Sequence, residues 1–373
     1  NTRLEMAGDK SMNKNPLLAL KELGQHVWLD NLSRELLKEG TLQRLITEDG
    51  IDGLTSNPAI FQKSIAAGAH YKEDLARMLG SNLSPEARYE ALVIPDIRAA
   101  CDLLLPAYVS SSGVAGYVSL EVSPALADDA PGTIAAAQRL SLAVKRANLL
   151  IKVPATPQGL EAFEQLTATG MSVNVTLIFS LAQYELVVKA YLRGALRWLE
   201  SGGETRKLCS VASVFLSRVD TLVDKRLDAI GNNQALALKG GAGVALAKAC
   251  YQRYLAVFHG PEFAMLRLAH IRPQMPLWAS TGSKNPATSD VHYVEPLIGP
   301  KTITTLPDAT LAAFRDHGCA KSTLSEGAEA AKNHIAELAE LGIDLKEVGE
   351  TLQADGVKLF AEAYEALLTS VQG

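Results

Sequence analysis

No C-x-x-C pair, no H-E-x-x-H and no Cys/His cluster occurs in this chain, and each absence removes a class of protein. The four cysteines, Cys101, Cys209, Cys250 and Cys319, are scattered through 373 residues. Four such residues in so long a chain make no disulfide framework, which points to a reducing, cytoplasmic setting. The seven histidines are dispersed as well, so the sequence announces no metal site. No apolar run reaches about 18 residues, which argues against a membrane span. Basic residues are not in excess: 36 Lys and Arg against 41 Asp and Glu leave a net charge of −5. Without a basic run there is nothing to hold a nucleic-acid backbone. Anionic small molecules stay within reach, because local cations can oppose the global sign. No G-x-G-x-x-G appears either; Lys239-Gly-Gly-Ala-Gly243 reads as a turn opening a helix. No Ser/Gly/Pro linker divides the chain, and 47% hydrophobic content over this length suffices for one large core. Asn1 to Met12 is polar and has no apolar h-region. It reads as a disordered tail or a remnant of expression, leaving 13–373 as one domain.

What is present centres on Asn148-Leu-Leu-Ile-Lys-Val-Pro-Ala-Thr156. The run is apolar, partly β-branched and closed by Pro154, as in a strand buried on both faces of a parallel sheet. Lys152 in its middle is costly unless paired or neutral. Burial disfavours the charged form of an amine, and a neutral amine is a nucleophile for carbonyls, so the stretch suggests a Schiff-base lysine. The plainer alternative is a strand-end lysine that pairs with a carboxylate or snorkels to water.

Along the chain, helical and strand periodicities alternate. A short helix around Leu17 to Leu23 precedes a strand at Val27 to Asp30 and a helix from Ser33 to Lys38. Further strands are expected at 51–58, 116–122, 149–154, 172–179, 209–216, 276–280 and 301–305. Helices are expected at 89–105, 133–146, 159–167, 181–198 and 244–258, with another running through Asp220 to Leu227. A C-terminal helix opens with Asp344 and Glu347 spaced as a capping box and has Val357, Phe360 and Tyr364 on one face. About eight strand–helix repeats predict an α/β chain folded as a single (β/α)8 TIM barrel with extra N- and C-terminal helices.

In such a barrel, side chains at the C-terminal ends of strands carry the chemistry. Those positions hold Asp30, Asn57, Glu121, Lys152, Asn174 with Thr176, Ser213 with Arg218, and Ser280 with Lys284. One amine, two acids, amides, hydroxyls and nearby cations suit carbonyl chemistry on a phosphorylated polyol. Each position also has a structural use. Asp30 and Asn57 fit helix N-caps; Asn174 and Thr176 share one strand face and suit a polar barrel layer. Arg218 is placed to pair with Asp220 or Asp224, and Lys284 to be solvated in a loop. His26, Trp28 and Trp278 read as packing residues. Joint placement carries the functional reading.

These residues resemble the transaldolase family of class I, Schiff-base enzymes. The similarity rests on Leu54-Thr-Ser-Asn-Pro58, Val118-Ser-Leu-Glu-Val122, Leu150-Ile-Lys-Val-Pro-Ala-Thr156, Val173-Asn-Val-Thr-Leu-Ile-Phe-Ser180, Ser213-Val-Phe-Leu-Ser-Arg218 and Ala279-Ser280, and spans roughly residues 17 to 370. It implies a (β/α)8 barrel that transfers a dihydroxyacetone unit from sedoheptulose 7-phosphate or fructose 6-phosphate to an aldose phosphate, in the longer bacterial branch. By the same resemblance Lys152 forms the Schiff base and Asp30 is the acid/base for C–C cleavage. Glu121 with Thr176 handles the catalytic water, Asn57, Asn174 and Ser213 hold the three-carbon unit, and Arg218 holds phosphate. Many members place an Arg two residues after the serine matched by Ser280. Gly282 stands there instead, and Lys284 is the cation offered for a second phosphate contact. Related fructose-6-phosphate aldolases carry Gln where Glu121 falls and Tyr where Phe215 falls, so Glu121 and Phe215 resemble the transferase. No cofactor is implied, and the partners are phosphorylated sugars, met by a monomer or homodimer. The rival readings are an aldolase that releases its three-carbon product and a non-catalytic, sugar-binding barrel.

Overall fold

The computed structural model describes residues 15–372; the stretch read as a tail, Asn1 to Met12, lies outside them. Eight strands, β1 (Gln25–Asp30), β2 (Gly53–Thr55), β3 (Tyr117–Glu121), β4 (Leu149–Pro154), β5 (Val173–Ile178), β6 (Ser210–Phe215), β7 (Met275–Ala279) and β8 (Thr302–Leu306), occur in the expected order. They close into a barrel in which every neighbouring pair is parallel, with β8 returning to β1 through Gln25↔Thr302 to Leu29↔Leu306. Every residue of β4, β5, β6 and β8 is buried. One face fills the barrel interior and the other meets the helical ring, so the strands read as apolar runs.

The helices begin where local chemistry caps them. Asn57, Ser84, Asp129 and Thr156 each accept a backbone N–H of the first turn, and each is followed by a proline at the first or second helical position. A cap of this kind is worth about 0.5–2 kcal/mol, and proline there loses no hydrogen bond. This explains two shifts from expectation. β2 is only three residues long, because Asn57 already caps helix Pro58–Ala67 and Pro58 opens it. The helix expected from Thr133 starts at Ala130, because Asp129 accepts from the Gly132 N–H at 2.9 Å. The helix expected at 89–105 runs on from Pro85 to Ser110 through Pro95 and Pro106.

Trp28 and Trp278 are fully buried core residues, as read, each contributing about 1.5–3 kcal/mol by leaving water. Gly53 is required against the first: a Cβ there would stand 2.3 Å from the Trp28 indole. His26 does more than pack, holding Asp52 at 2.6 Å.

The C-terminal helix, Leu345–Ser370, crosses the end of the barrel where the strands finish, and Phe360 reaches the cleft there. Its start is only half of the expected capping box. Asp344 accepts from the Lys346 N–H at 2.8 Å, but Glu347 turns outward to a two-pronged pair with Arg226. Gln353 on the same helix donates to the carbonyls of Ala155 and Leu177, each at 3.0 Å. Leu177 sits at an irregularity of β5 with φ 61°, a left-handed conformation that costs a branched residue about 1–3 kcal/mol. The Gln353 contact holds this kink just beyond Thr176.

Candidate active site

The strand ends surround a cleft of about 190 Å³. Register explains why the polar residues meet: Glu121 pairs with Lys152 across β3 and β4, Lys152 with Asn174 across β4 and β5, and Asp30 with Thr55 across β1 and β2. Of the residues singled out from the sequence, Asp30, Asn57, Lys152, Thr176, Ser213, Phe215, Arg218, Ser280 and Lys284 line the cleft. Glu121 and Asn174 do not line it; they stand behind Lys152 and Ser213.

Lys152 is 4% exposed. Its ammonium nitrogen donates to the Ser56 carbonyl at 3.1 Å and lies 3.2 Å from Glu121 Oε2 and 5.7 Å from the Phe360 ring centre. The contact with Glu121 is an ion pair without the alignment of a hydrogen bond, and Glu121 Oε2 and Thr176 Oγ1 are both buried polar atoms with no hydrogen-bond partner among the described residues. Burial pushes the Glu121 carboxyl above its ordinary range, against the pull of Lys152. Asp30 is also pushed up by burial, opposed first by the charge of Lys152 and then by the Thr55 hydroxyl, which donates to it at 2.7 Å. Thr55 in turn lies 2.7 Å from the Thr305 hydroxyl, so β8 helps orient the carboxylate of β1.

The capping alternative separates the two candidates. Asn57 caps its helix, accepting from the Ile60 N–H at 3.0 Å, while its amide nitrogen has no partner among the described residues. Asp30 caps nothing; Ser33 caps the helix after β1. Asn174 braces the site, donating to Ser119 at 3.0 Å and accepting from the Ser213 hydroxyl at 2.7 Å.

Arg218 departs from its structural alternative. Asp220 is taken by the Gly243 N–H and the Tyr293 hydroxyl, at 2.9 and 2.7 Å, and Asp224 by the Gly240 N–H at 2.8 Å. The guanidinium instead lies 5.6 Å from the Phe215 ring centre and 5.9 Å from that of Phe360, with no ion pair among the described residues. Burial lowers its pKa, against the pull of Asp30. A cation desolvated without a counter-ion favours an incoming anion. Beside it, the hydroxyls of Ser217 and Ser280 are 2.6 Å apart, and Ser280 holds φ 54°. Lys284 is exposed at the edge of the cleft.

Sequence reasoning passed over Thr55, Ser217, Thr305 and Phe360. Thr55 and Ser217 lie inside motifs that were singled out, so adjacency to Asn57 and Arg218 was a usable signal. Phe360 comes from a helix far along the chain, and nothing local marks it. Among the described residues no group of three or more His, Cys, Asp or Glu is placed to hold a metal ion, and no helix is long and apolar enough to cross a membrane.

A family model described as Transaldolase/Fructose-6-phosphate aldolase matches residues 27–371. The chain is 54% identical over 352 residues to a protein named Transaldolase from Thiobacillus denitrificans, covering 94% of this chain and 98% of that one. It is 49% identical to a Transaldolase from Neisseria gonorrhoeae, over 94% and 97% of the two chains. A Transaldolase from Mycolicibacterium smegmatis is 44% identical, over 97% and 98%. With a buried lysine paired to Glu121 in a closed parallel barrel, and with matches that span nearly its whole length, the chain belongs to the transaldolase/fructose-6-phosphate aldolase family.

Proposed function

We propose that this chain is a transaldolase of the non-oxidative pentose phosphate pathway, acting in the cytoplasm as a monomer or homodimer, with 13–373 as its one catalytic domain. It moves a dihydroxyacetone unit from sedoheptulose 7-phosphate or fructose 6-phosphate to glyceraldehyde 3-phosphate or erythrose 4-phosphate. The observation that carries this reading is the Lys152 ammonium, buried in the cleft wall beside Glu121 and within the field of Asp30.

In the proposed sequence, the Lys152 amine passes a proton to Glu121 and attacks the C2 carbonyl of the ketose. Glu121, working with Thr176 through one water, moves protons while the carbinolamine forms and loses water to give the iminium. Asp30 takes the C4 hydroxyl proton, the C3–C4 bond breaks, and its electron pair passes into the iminium, leaving an enamine on Lys152. The shortened aldose leaves. The acceptor aldehyde then adds at the same carbon, the proton returns from Asp30, and hydrolysis frees the new ketose. Asn57 and Ser213 orient the three-carbon unit, with Asn174 holding Ser213. Arg218 with Ser280, and Lys284 at the rim, take the phosphate.

Borohydride reduction in the presence of fructose 6-phosphate, followed by peptide mapping, tests the covalent step. A three-carbon adduct on Lys152 is the expected product; a folded protein with no adduct removes the Schiff base.

Arg218→Ala is expected to raise KM for phosphorylated sugars about 10- to 100-fold, the worth of a charge-assisted hydrogen bond, with a smaller change in kcat. Steady-state kinetics with fructose 6-phosphate decides it, and an unchanged KM takes Arg218 out of phosphate binding.

Phe215 bears on the choice between transfer and release. A phenyl ring offers no proton to the enamine, so the intermediate waits for an aldehyde. Phe215→Tyr is expected to increase free dihydroxyacetone relative to transferred product in an assay that measures both. A ratio that stays constant refutes this account of the transferase.

A further inference from the structure

At the opposite end of the barrel, where β3, β6, β7 and β8 begin, lies a second cavity of about 300 Å³. One strand length, about 17–20 Å, separates it from the sugar cleft. Its wall is apolar: Val114 before β3, Met275 at the start of β7, and Tyr254 and Phe258 from the end of helix Ala242–Phe258. Three cations stand around it, Arg267, Arg272 and Lys301, and no Asp or Glu lines it. Among the described residues none of the three is in an ion pair. Arg272 donates to the carbonyls of Gly113 and Ser112, and Arg267 to those of Phe258 and Gly260. Neutral carbonyls position a guanidinium but leave its charge uncancelled. In a chain of net charge −5, three uncompensated cations at one mouth create a local field against the global sign.

The wall also holds an unsatisfied group. Tyr254 is 0% exposed, and among the described residues its hydroxyl has no hydrogen-bond partner. Concave apolar walls with a few convergent polar groups are the usual form of a small-molecule site.

We propose that this cavity binds a small organic anion with an apolar, ring-sized body. The body lies against Phe258, Met275 and Val114, and its carboxylate, sulfonate or phosphate meets Arg267, Arg272 and Lys301. A sugar phosphate has no such body, so the ligand is not the substrate of the catalytic cleft, and the site does not depend on the transaldolase reading. Occupancy ties helix Ala242–Phe258 to the start of β7 and β8, which stabilises the fold by mass action.

The probe is 8-anilinonaphthalene-1-sulfonate, titrated into the full chain and followed by fluorescence. One saturable site is expected, undisturbed by saturating fructose 6-phosphate, with the uncharged N-phenyl-1-naphthylamine binding at least about tenfold more weakly. Arg267→Glu and Lys301→Glu lie at exposed positions. Each is expected to weaken the anionic probe about tenfold while leaving the transferase rate and the circular dichroism spectrum unchanged. Val114→Trp, which fills the mouth, is expected to abolish binding. Displacement by fructose 6-phosphate, equal affinity for the uncharged analogue, or indifference to both charge reversals would each overturn the site. A signal that falls as protein concentration rises would also overturn it, assigning the surface to contacts between copies of the chain.

Discussion

Lys152→Ala is expected to lose turnover by at least about 10⁴-fold and to lose the borohydride-trapped adduct completely, because no other group in the cleft supplies a nucleophilic amine that becomes the electron sink. Lys284 also lines the cleft, but it is exposed at the rim, on a loop outside the strands. The substitution has a second consequence. It leaves Glu121 buried without its ion-pair partner at 3.2 Å, and an uncompensated buried carboxylate takes up a proton. Burial already raises the folded-state pKa of Glu121, and loss of Lys152 raises it further. An acid raised on folding favours the native state below its unfolded pKa, and that contribution is lost as pH rises through the folded value. The alanine variant is therefore expected to fall further behind the parent in thermal stability as pH increases from the ordinary Glu range toward neutrality. Lys152→Arg separates chemistry from folding. It keeps the positive charge beside Glu121 but forms no imine, so inactivity with a parent-like melting profile is the expected outcome. Trapped adduct in either variant, or residual turnover within about tenfold of the parent, removes Lys152 from the mechanism.

Asp30→Asn is expected to slow C–C cleavage about 10²- to 10⁴-fold, the usual worth of a positioned general base, while still permitting a trapped adduct with fructose 6-phosphate. Asparagine keeps an oxygen for the Thr55 hydroxyl, so the chain from Thr305 through Thr55 is retained. Only the ability to take a proton is lost. The pH profile gives an independent reading. Asp30 must be ionised to accept the C4 hydroxyl proton, and burial raises its pKa above the ordinary carboxylate range. In the parent, kcat should therefore fall on acidification along a limb that lies above that range, and the limb should be missing in Asp30→Asn. A limb that persists unchanged belongs to Glu121, the other carboxyl raised by burial. Near-parent cleavage by Asp30→Asn removes its assignment as the base.

The legible part of the site was the set of side chains that break an apolar pattern. Lys152 and Glu121 stand out within runs of Leu, Ile and Val because a strand buried on both faces has no ordinary use for a charge. Less legible was what each polar residue touches. Asn57 combines a cap with a place in the cleft, and Asn174 stands behind Ser213 as a brace. The pairing available to Arg218 with its helix neighbours is lost to Gly243, Tyr293 and Gly240, which satisfy those acids from elsewhere in the chain. The half-formed capping box fails for the same reason, since Arg226 offers Glu347 a full charge where the helix offers one N–H.

By itself the sequence determined the order of the eight strands and which side chains break their apolar runs, Lys152 and Glu121 above all. These depend on periodicity and burial, both of which act over a few neighbouring residues. Tertiary structure alone decided that Glu121, Lys152 and Asn174 share one level, and that Phe360 arrives from the C-terminal helix. Such facts are distances between atoms remote along the chain, set by strand register and by competition among partners, and no local pattern of residues encodes them.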